Sequence, residues 1–87
     1  MKLVCEIHTK DSSNTPSYRV YVNGELMTER DYVVPETEQG HYNFVCDLDL
    51  PAGENKLEVV GINHEFGLGK MWLDRRKIIH NQGVFTL

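Results

Sequence analysis

Apolar and polar residues alternate along much of the chain, which is the pattern of β-strands with one buried face. The first alternating run, Lys2 to His8, places Leu3, Cys5 and Ile7 on one face. A second run from His41 to Leu50 repeats the pattern, and its apolar face carries Tyr42, Phe44, Cys46 and Leu48. The period of two therefore predicts a strand in each region.

Turn-forming residues separate such runs at short intervals. Asn23-Gly24 stands between Tyr18–Val22 and Glu25–Thr28. Both central residues of a tight hairpin turn need a positive φ, so this dipeptide between alternating runs predicts a β-hairpin. The other expected elements are, in chain order, an extended piece over 32–35, a turn over 50–55, a strand over 56–63, a loop over 64–70 that contains Gly67 and Gly69, an extended segment over 71–81 bent near Arg75-Arg76, and a last strand over 84–87.

The number and spacing of these runs predict the fold class. About seven short strands with frequent turns are typical of an all-β domain, so we expect a small, jelly-roll-like antiparallel β-sandwich. The 87 residues are enough for one domain, spanning 1–87. A helix over Leu73–Ile79 is the competing interpretation, but the segment lacks an N-cap and Gly83 lies too far along to end it.

The charge balance of the chain makes some classes of binding partner less favourable than others. Thirteen acidic and nine basic residues give a net charge of −4, which argues against binding to nucleic-acid phosphates. The densest basic run, Arg75-Arg76-Lys77 with Lys70 nearby, fits either a solvated turn or a contact to phosphate or to an acidic partner. No apolar run approaches the roughly 20 residues that cross a bilayer, and no signal-peptide pattern stands at the N-terminus. We therefore expect no membrane association and a virion or cytoplasmic location.

Residues that usually carry catalysis form no recognisable constellation. The four histidines are scattered without metal-ligand spacing. No glycine-flanked serine and no glycine-rich phosphate loop is present. We therefore predict no catalytic residue, no bound metal and no cofactor. Cys5 and Cys46 are expected to be buried free thiols in a reducing compartment, with a disulfide between them as the alternative.

Four segments carry a family resemblance: Val20-Tyr21-Val22-Asn23-Gly24, the run Asp49–Val59, the run Ile62–Gly67, and Leu73-Asp74 with Ile78–Gly83. Together they make up 30 of the 87 residues and resemble the calcium-dependent xylan-binding type of carbohydrate-binding β-sandwich module. The resemblance implies the sandwich fold and a sugar site around Asn63, Glu65 and Asp74.

The chain departs from that family at the metal site. His64 stands where the family has an acidic residue, and Gly69-Lys70-Met71 stands where it has Asp-Arg-Asn. Calcium takes several oxygen ligands, and only Glu65 and Asp74 remain. The resemblance therefore implies the fold without the calcium site.

Two functions remain open from the sequence. The first is a non-catalytic structural or accessory component of a larger assembly, with a phage virion as the favoured setting (capsid decoration, tail or fibre-associated), whose partners are other protein subunits or further copies of itself. The second is a carbohydrate-binding module for a polysaccharide or a cell-surface glycan, because aromatic rings stack on sugars and also anchor protein interfaces. The candidate contact residues for either function are Asn63, Glu65, Phe66, Trp72 and Asp74. Core packing is the competing interpretation of the aromatic rings, and in a chain of this length it is the expected role of Trp72 in particular.

Overall fold

The computed structural model describes residues 1–9, 17–31, 41–62 and 65–87. These residues form eight β-strands and contain no helix: β1 (Lys2–His8), β2 (Ser17–Val22), β3 (Glu25–Asp31), β4 (His41–Asp47), β5 (Glu54–Ile62), β6 (Gly67–Leu73), β7 (Arg76–Ile78) and β8 (Val84–Thr86). The predicted all-β sandwich is confirmed, with eight strands where about seven were expected. The alternative helix over 73–79 does not form, because β6 and β7 occupy that segment.

The strands form two four-stranded antiparallel sheets. One sheet has the order β4-β1-β6-β7 and the other has the order β3-β2-β5-β8. β1 is central in the first sheet, and its Val4 pairs with Val45 of β4 on one side and with Trp72 of β6 on the other. The four edge strands are therefore β4 and β7 in one sheet and β3 and β8 in the other.

The core lies between the inner faces of the two sheets. The predicted inner face of β1 is confirmed, because Leu3, Cys5 and Ile7 are all fully buried. The opposing sheet contributes buried residues from β2, β5 and β8, namely Tyr18, Val20, Val22, Leu57 and Phe85. Full burial of one such side chain stabilises the fold by roughly 1.5–3 kcal/mol.

The hairpin predicted at Asn23-Gly24 is confirmed, with φ values of 51° and 82° at the two turn residues. A second tight turn joins β6 to β7 at Asp74 and Arg75, which also have positive φ values of 48° and 68°. The chain thus bends one residue before the predicted Arg75-Arg76 step. The extended piece predicted over 32–35 lies outside the described residues.

The loop predicted over residues 64–70 was wrong from Gly67 onwards, because Gly67 and Gly69 lie inside β6. Glu65 and Phe66 precede the strand, and position 64 lies outside the described residues. Each glycine permits a close approach to β1 and does not mark a break in the strand. The ring of His8 occupies the space that a Cβ at Gly67 would need, and the side chain of Glu6 lies 3.0 Å from a Cβ placed at Gly69. The ladder between β1 and β6 shifts register at this point, which is a β-bulge.

Side-chain hydrogen bonds join the loops to the sheets at two places, which we call the polar ties. In the first, buried Asn55 donates to the carbonyl oxygens of Pro51 (3.0 Å) and Gly53 (3.1 Å) and accepts from the amide of Asn23 (2.9 Å). In the second, His80 Nδ1 accepts from the backbone N–H of Gly83 (3.0 Å), so its Nε2 donates to the carbonyl of Gly69 (2.6 Å). Backbone groups that face the interior are thereby satisfied.

Candidate functional site

The structure separates the two carboxylates that the family resemblance implied. Glu65 precedes β6 and Asp74 follows it, and the strand between them is seven residues long. At a rise of about 3.3 Å per residue, the two carboxylates are roughly 20 Å or more apart. They cannot share one cation. Asn63, the third residue of that set, lies outside the described residues.

Asp74 has a local structural role. Its Oδ1 accepts the backbone N–H of Lys2 at 2.8 Å, and its own N–H donates to the carbonyl of Lys2 at 2.9 Å. The side chain therefore fastens the turn between β6 and β7 to the start of β1. Within the described part of the chain, no group of three or more His, Cys, Asp or Glu residues could hold a metal ion.

Phe66 lies at the edge of the core and not on an open face. Its ring is half-buried and contacts the buried Tyr18, with ring centroids 5.3 Å apart and planes tilted by 49°. This tilted contact is a favourable aromatic geometry. The neighbouring Glu65 is exposed, and its carbonyl accepts a hydrogen bond from the hydroxyl of Thr9 at 2.8 Å.

Trp72 lies on the outer face of the sheet β4-β1-β6-β7. It pairs with Val4, which in turn pairs with Val45, so the three side chains form one row across three strands. Val45 is 54% exposed, whereas Val4 and Trp72 are half-buried. The row continues to Lys77 of β7, the cross-strand partner of Trp72.

Polar and cationic side chains border this row. A shallow depression of about 260 Å³ opens beside the indole and is lined by Lys2, Val4, Asn43, Trp72 and Arg75. We call the whole surface the Trp72 face. It consists of the apolar row Val45, Val4 and Trp72 and the rim Lys2, Asn43, Arg75 and Lys77.

The rim carries a local excess of positive charge although the chain is acidic overall. Lys2, Arg75 and Lys77 are exposed, and none of them forms an ion pair among the described residues. Three carboxylates lie nearby and keep their charge. Asp47 lies 3.3 Å from the N-terminal ammonium group, and Glu6 and Asp74 accept the backbone N–H groups of Lys70 and Lys2, each at 2.8 Å. The cations of the rim are therefore available to a partner.

The sequence analysis named Trp72 as a candidate contact but favoured core packing for its ring. That interpretation was wrong, because Trp72 lies on the outer face and is not part of the buried core. Its neighbours in the row were missed. The signal for Val45 was present in the alternation, because Phe44 and Cys46 on either side of it point inwards. The basic run was recognised, but only the register places Lys77 beside the indole. An alternating pattern gives the face of each residue but not the strand order that brings faces together.

The two thiols are not equipped for nucleophilic chemistry. Cys5 and Cys46 are both free. Burial, with a smaller contribution from the charge of Glu6, raises the pKa of the Cys5 thiol to about 12. Burial and then the charge of Asp47 also raise the pKa of Cys46. A thiol with a raised pKa holds little reactive thiolate at neutral pH, so both cysteines act as small apolar residues.

The chain matches no family model, and no curated protein or solved structure shows significant similarity to it. The resemblance to xylan-binding modules therefore stays a prediction. None of the described residues forms a helix that is long and apolar enough to cross a membrane.

Proposed function

We propose that the chain is a non-catalytic docking subunit of a larger protein assembly and that the Trp72 face is its contact surface. The observation that carries the proposal is the apolar row of Val45, Val4 and Trp72 on the outer face of a sheet. Each partly exposed apolar group forgoes about 25 cal/mol for every Å² that a partner would cover. Tryptophan is also enriched among the residues that dominate interface energies.

The rim defines the chemistry of the partner. Lys2, Arg75 and Lys77 surround the apolar row and have no ion pair in the described part of the chain. A complementary surface has an apolar centre and acidic residues around it, because opposite potentials favour encounter and fix orientation. We expect such binding to weaken as the salt concentration rises.

The setting that we propose for the assembly is a phage virion, in which the protein would decorate the capsid or accompany the tail or its fibres. This part of the proposal rests on the Trp72 face, a docking surface on an outer sheet of a β-sandwich. Other protein subunits are therefore the expected partners.

Photo-crosslinking in the cells that naturally produce the protein tests the docking surface. A photoreactive amino acid replaces Val45 on the Trp72 face, and the matched control replaces Val60, which is 42% exposed on the outer face of the other sheet. We expect a discrete adduct with a protein other than this chain from position 45, absent from position 60 and reduced by Arg75→Glu. Equal adducts from both positions, or none from position 45, would contradict the proposal.

Glycan binding is the second candidate, and one observation favours it. The depression of about 260 Å³ combines the indole of Trp72 with the amide of Asn43 and the guanidinium of Arg75. An indole stacks on a sugar ring while such polar groups bind its hydroxyl or carboxylate groups. Because Glu65 and Asp74 do not meet, we expect any such binding to be independent of calcium.

A glycan array separates the two candidates. The purified protein and its Trp72→Ala variant are each applied with calcium and with EDTA. Binding that survives EDTA and is lost in the variant would favour the glycan candidate. If the wild-type protein binds no glycan in either condition and position 45 gives a discrete crosslink, the result would favour the docking subunit.

A further inference from the structure

The four edge strands are protected against strand pairing to very different degrees. β7 and β8 are only three residues long. β3 is longer but carries four charged residues, and its ladder with β2 contains a bulge. β4 is seven residues long and has no Asp, Glu, Lys or Arg before Asp47. Short strands, charges and bulges block edge pairing, so only β4 among the described edges lacks these devices.

The backbone of β4 presents its free groups in a defined order. Met1 and Leu48 exchange two hydrogen bonds, N–H of Leu48 to O of Met1 (2.9 Å) and N of Met1 to O of Leu48 (3.0 Å). Backbone direction alternates along an antiparallel strand. The N–H and C=O groups of Phe44 and Cys46 therefore also point to β1. Those of Asn43, Val45 and Asp47 point to the outer edge, where none of the described strands pairs with them.

A bond on the other side of β1 supports this assignment. The N–H of Asp74 donates to the carbonyl of Lys2 at 2.9 Å, so the backbone of Lys2 points to β6 and not to β4. Lys2 is the cross-strand partner of Asp47. The backbone groups of Asp47 consequently face away from β1, as the alternation requires.

We propose that β4 pairs with β4 of a second copy of this chain, antiparallel and about a two-fold axis at Val45. In this register Val45 lies opposite Val45 of the second copy, and Asn43 lies opposite Asp47 of the second copy. The amide of Asn43 can donate to that carboxylate, so no like charges oppose each other. On the inner side, Phe44 lies opposite Cys46 of the second copy, and both are apolar.

The pairing joins two apolar surfaces that are separate in the single chain. The rows of Val45, Val4 and Trp72 from the two copies become continuous across the axis, on one eight-stranded sheet. A depression of about 370 Å³ also opens beside β4, and Met27, Phe44 and Cys46 are among the residues that line it. The second copy would cover this flank, which adds apolar burial to the hydrogen bonds of the ladder.

This inference goes beyond the proposed function, because it uses the strand edge and does not depend on what binds Trp72. Its test is the mass of the purified protein by analytical ultracentrifugation over a range of concentrations. We expect a reversible shift from 10.0 kDa to twice that mass. A protein that stays monomeric up to roughly millimolar concentration, the weak limit for a specific contact, would overturn the inference.

Val45→Pro is the variant that isolates the edge. Proline removes an N–H that points to the open edge and not one that bonds to β1, so the fold tolerates it there. We expect the dimer dissociation constant to rise by about tenfold or more, because both copies lose a ladder hydrogen bond. Val45→Thr keeps the N–H and the β-propensity, and it should remain dimeric.

A second variant and a disulfide crosslink test the same pairing independently of Val45→Pro. If Val45→Pro does not fold, Val45→Lys places a charge at the axis and should give a folded monomer. In a Cys46→Ser background, Val45→Cys should form a disulfide between copies, whereas Asp47→Cys should not. Dimers that persist in both Val45→Pro and Val45→Lys, or crosslinks of equal yield at both cysteine positions, would overturn the inference. Trp72→Ala should leave the dimer intact, so a failure here differs from a failure of the proposed function.

Discussion

The polar ties and the Trp72 face differ in whether their chemical groups have partners within the fold. At the ties, Asn55 is 1% exposed, yet its amide nitrogen and oxygen both have partners. On the Trp72 face, apolar Val45 stays in solvent and three cations lack an ion pair among the described residues. A region in which every polar group has a hydrogen-bond partner stabilises the fold. Exposed apolar groups and unpaired cations on a well-formed sheet indicate a surface for a partner.

The largest loss of stability is expected from a substitution at Gly83, whose N–H donates to His80 in the second polar tie. Its φ is +90°, and a Cβ there would overlap the carbonyl oxygen of Leu57. Because the backbone cannot yield as a side chain would, we expect Gly83→Ala to lower the free energy of unfolding by about 4–5 kcal/mol. Gly53→Ala is the matched control, with φ +99° and open space around it, and should lose only about 1–2 kcal/mol. Urea unfolding compares them, and equal losses would refute the steric account.

The pH dependence of stability distinguishes the two faces of β1. Cys5 points into the core and has a titrating thiol, whereas Val4 points to the outer face and does not titrate. The folded pKa of Cys5 is raised from 9.0 to about 12. The folded state therefore binds its proton more tightly, so this stability is fully present below pH 9 and is lost as the pH rises towards 12. Three pH units correspond to about 4 kcal/mol.

Urea unfolding at a series of pH values from 8 to 11 measures this loss in the wild type, Cys5→Ala and Val4→Ala. We expect a flatter pH dependence in Cys5→Ala, because the titrating thiol is gone, and an unchanged slope in Val4→Ala. The difference between variants isolates Cys5 from the other groups that titrate in this range. Parallel curves for all three proteins would show that burial of Cys5 does not set the slope.

Asn55 tests the hydrogen bonds of the ties without a steric clash. Asn55→Ala leaves the side-chain amide of Asn23 and the carbonyl of Pro51 without this partner, whereas the carbonyl of Gly53 keeps the N–H of Leu87 at 2.9 Å. We expect a loss of about 2 kcal/mol, since unsatisfied buried groups cost more than a hydrogen bond contributes. Exposed Asn81→Ala is the control and should stay within about 0.5 kcal/mol of the wild type in thermal unfolding. A loss as small for Asn55→Ala as for Asn81→Ala would show that the hydrogen bonds of Asn55 do not stabilise the fold.

The smallest expected effect concerns the charge around Trp72. Because the indole is half-buried on an outer face, Trp72→Ala itself should lower the free energy of unfolding by about 2 kcal/mol. Trp72 is also the single tryptophan of the chain, so its fluorescence reports on this surface alone. The ratio of the iodide to the caesium quenching constant should be higher than the ratio for N-acetyltryptophanamide, because the rim is cationic. Arg75→Ser should lower the ratio, and a wild-type ratio below that of the free compound would contradict the assigned charge.

Local signals in the sequence predicted most of the fold. Alternation is a property of each strand by itself, so β1 and β4 were predicted with their inner faces, and Asn23-Gly24 specified its hairpin. Gly67 and Gly69 were misread, since their small size serves contacts with His8 and Glu6 on a strand 60 residues away in sequence. The Trp72 face could not be predicted because Val45, Val4 and Trp72 meet only through strand order, which depends on long-range pairing.

The central claim, that the Trp72 face binds a partner, is tested most directly by fluorine NMR of that one residue. Purified protein labelled with 5-fluorotryptophan gives a single resonance, and it is added to a lysate of the cells that naturally produce it. We expect the line to broaden strongly in the lysate and to stay narrow in the variant that combines Arg75→Glu and Lys77→Glu, whose rim is reversed. A wild-type line as narrow in the lysate as in buffer would contradict the claim.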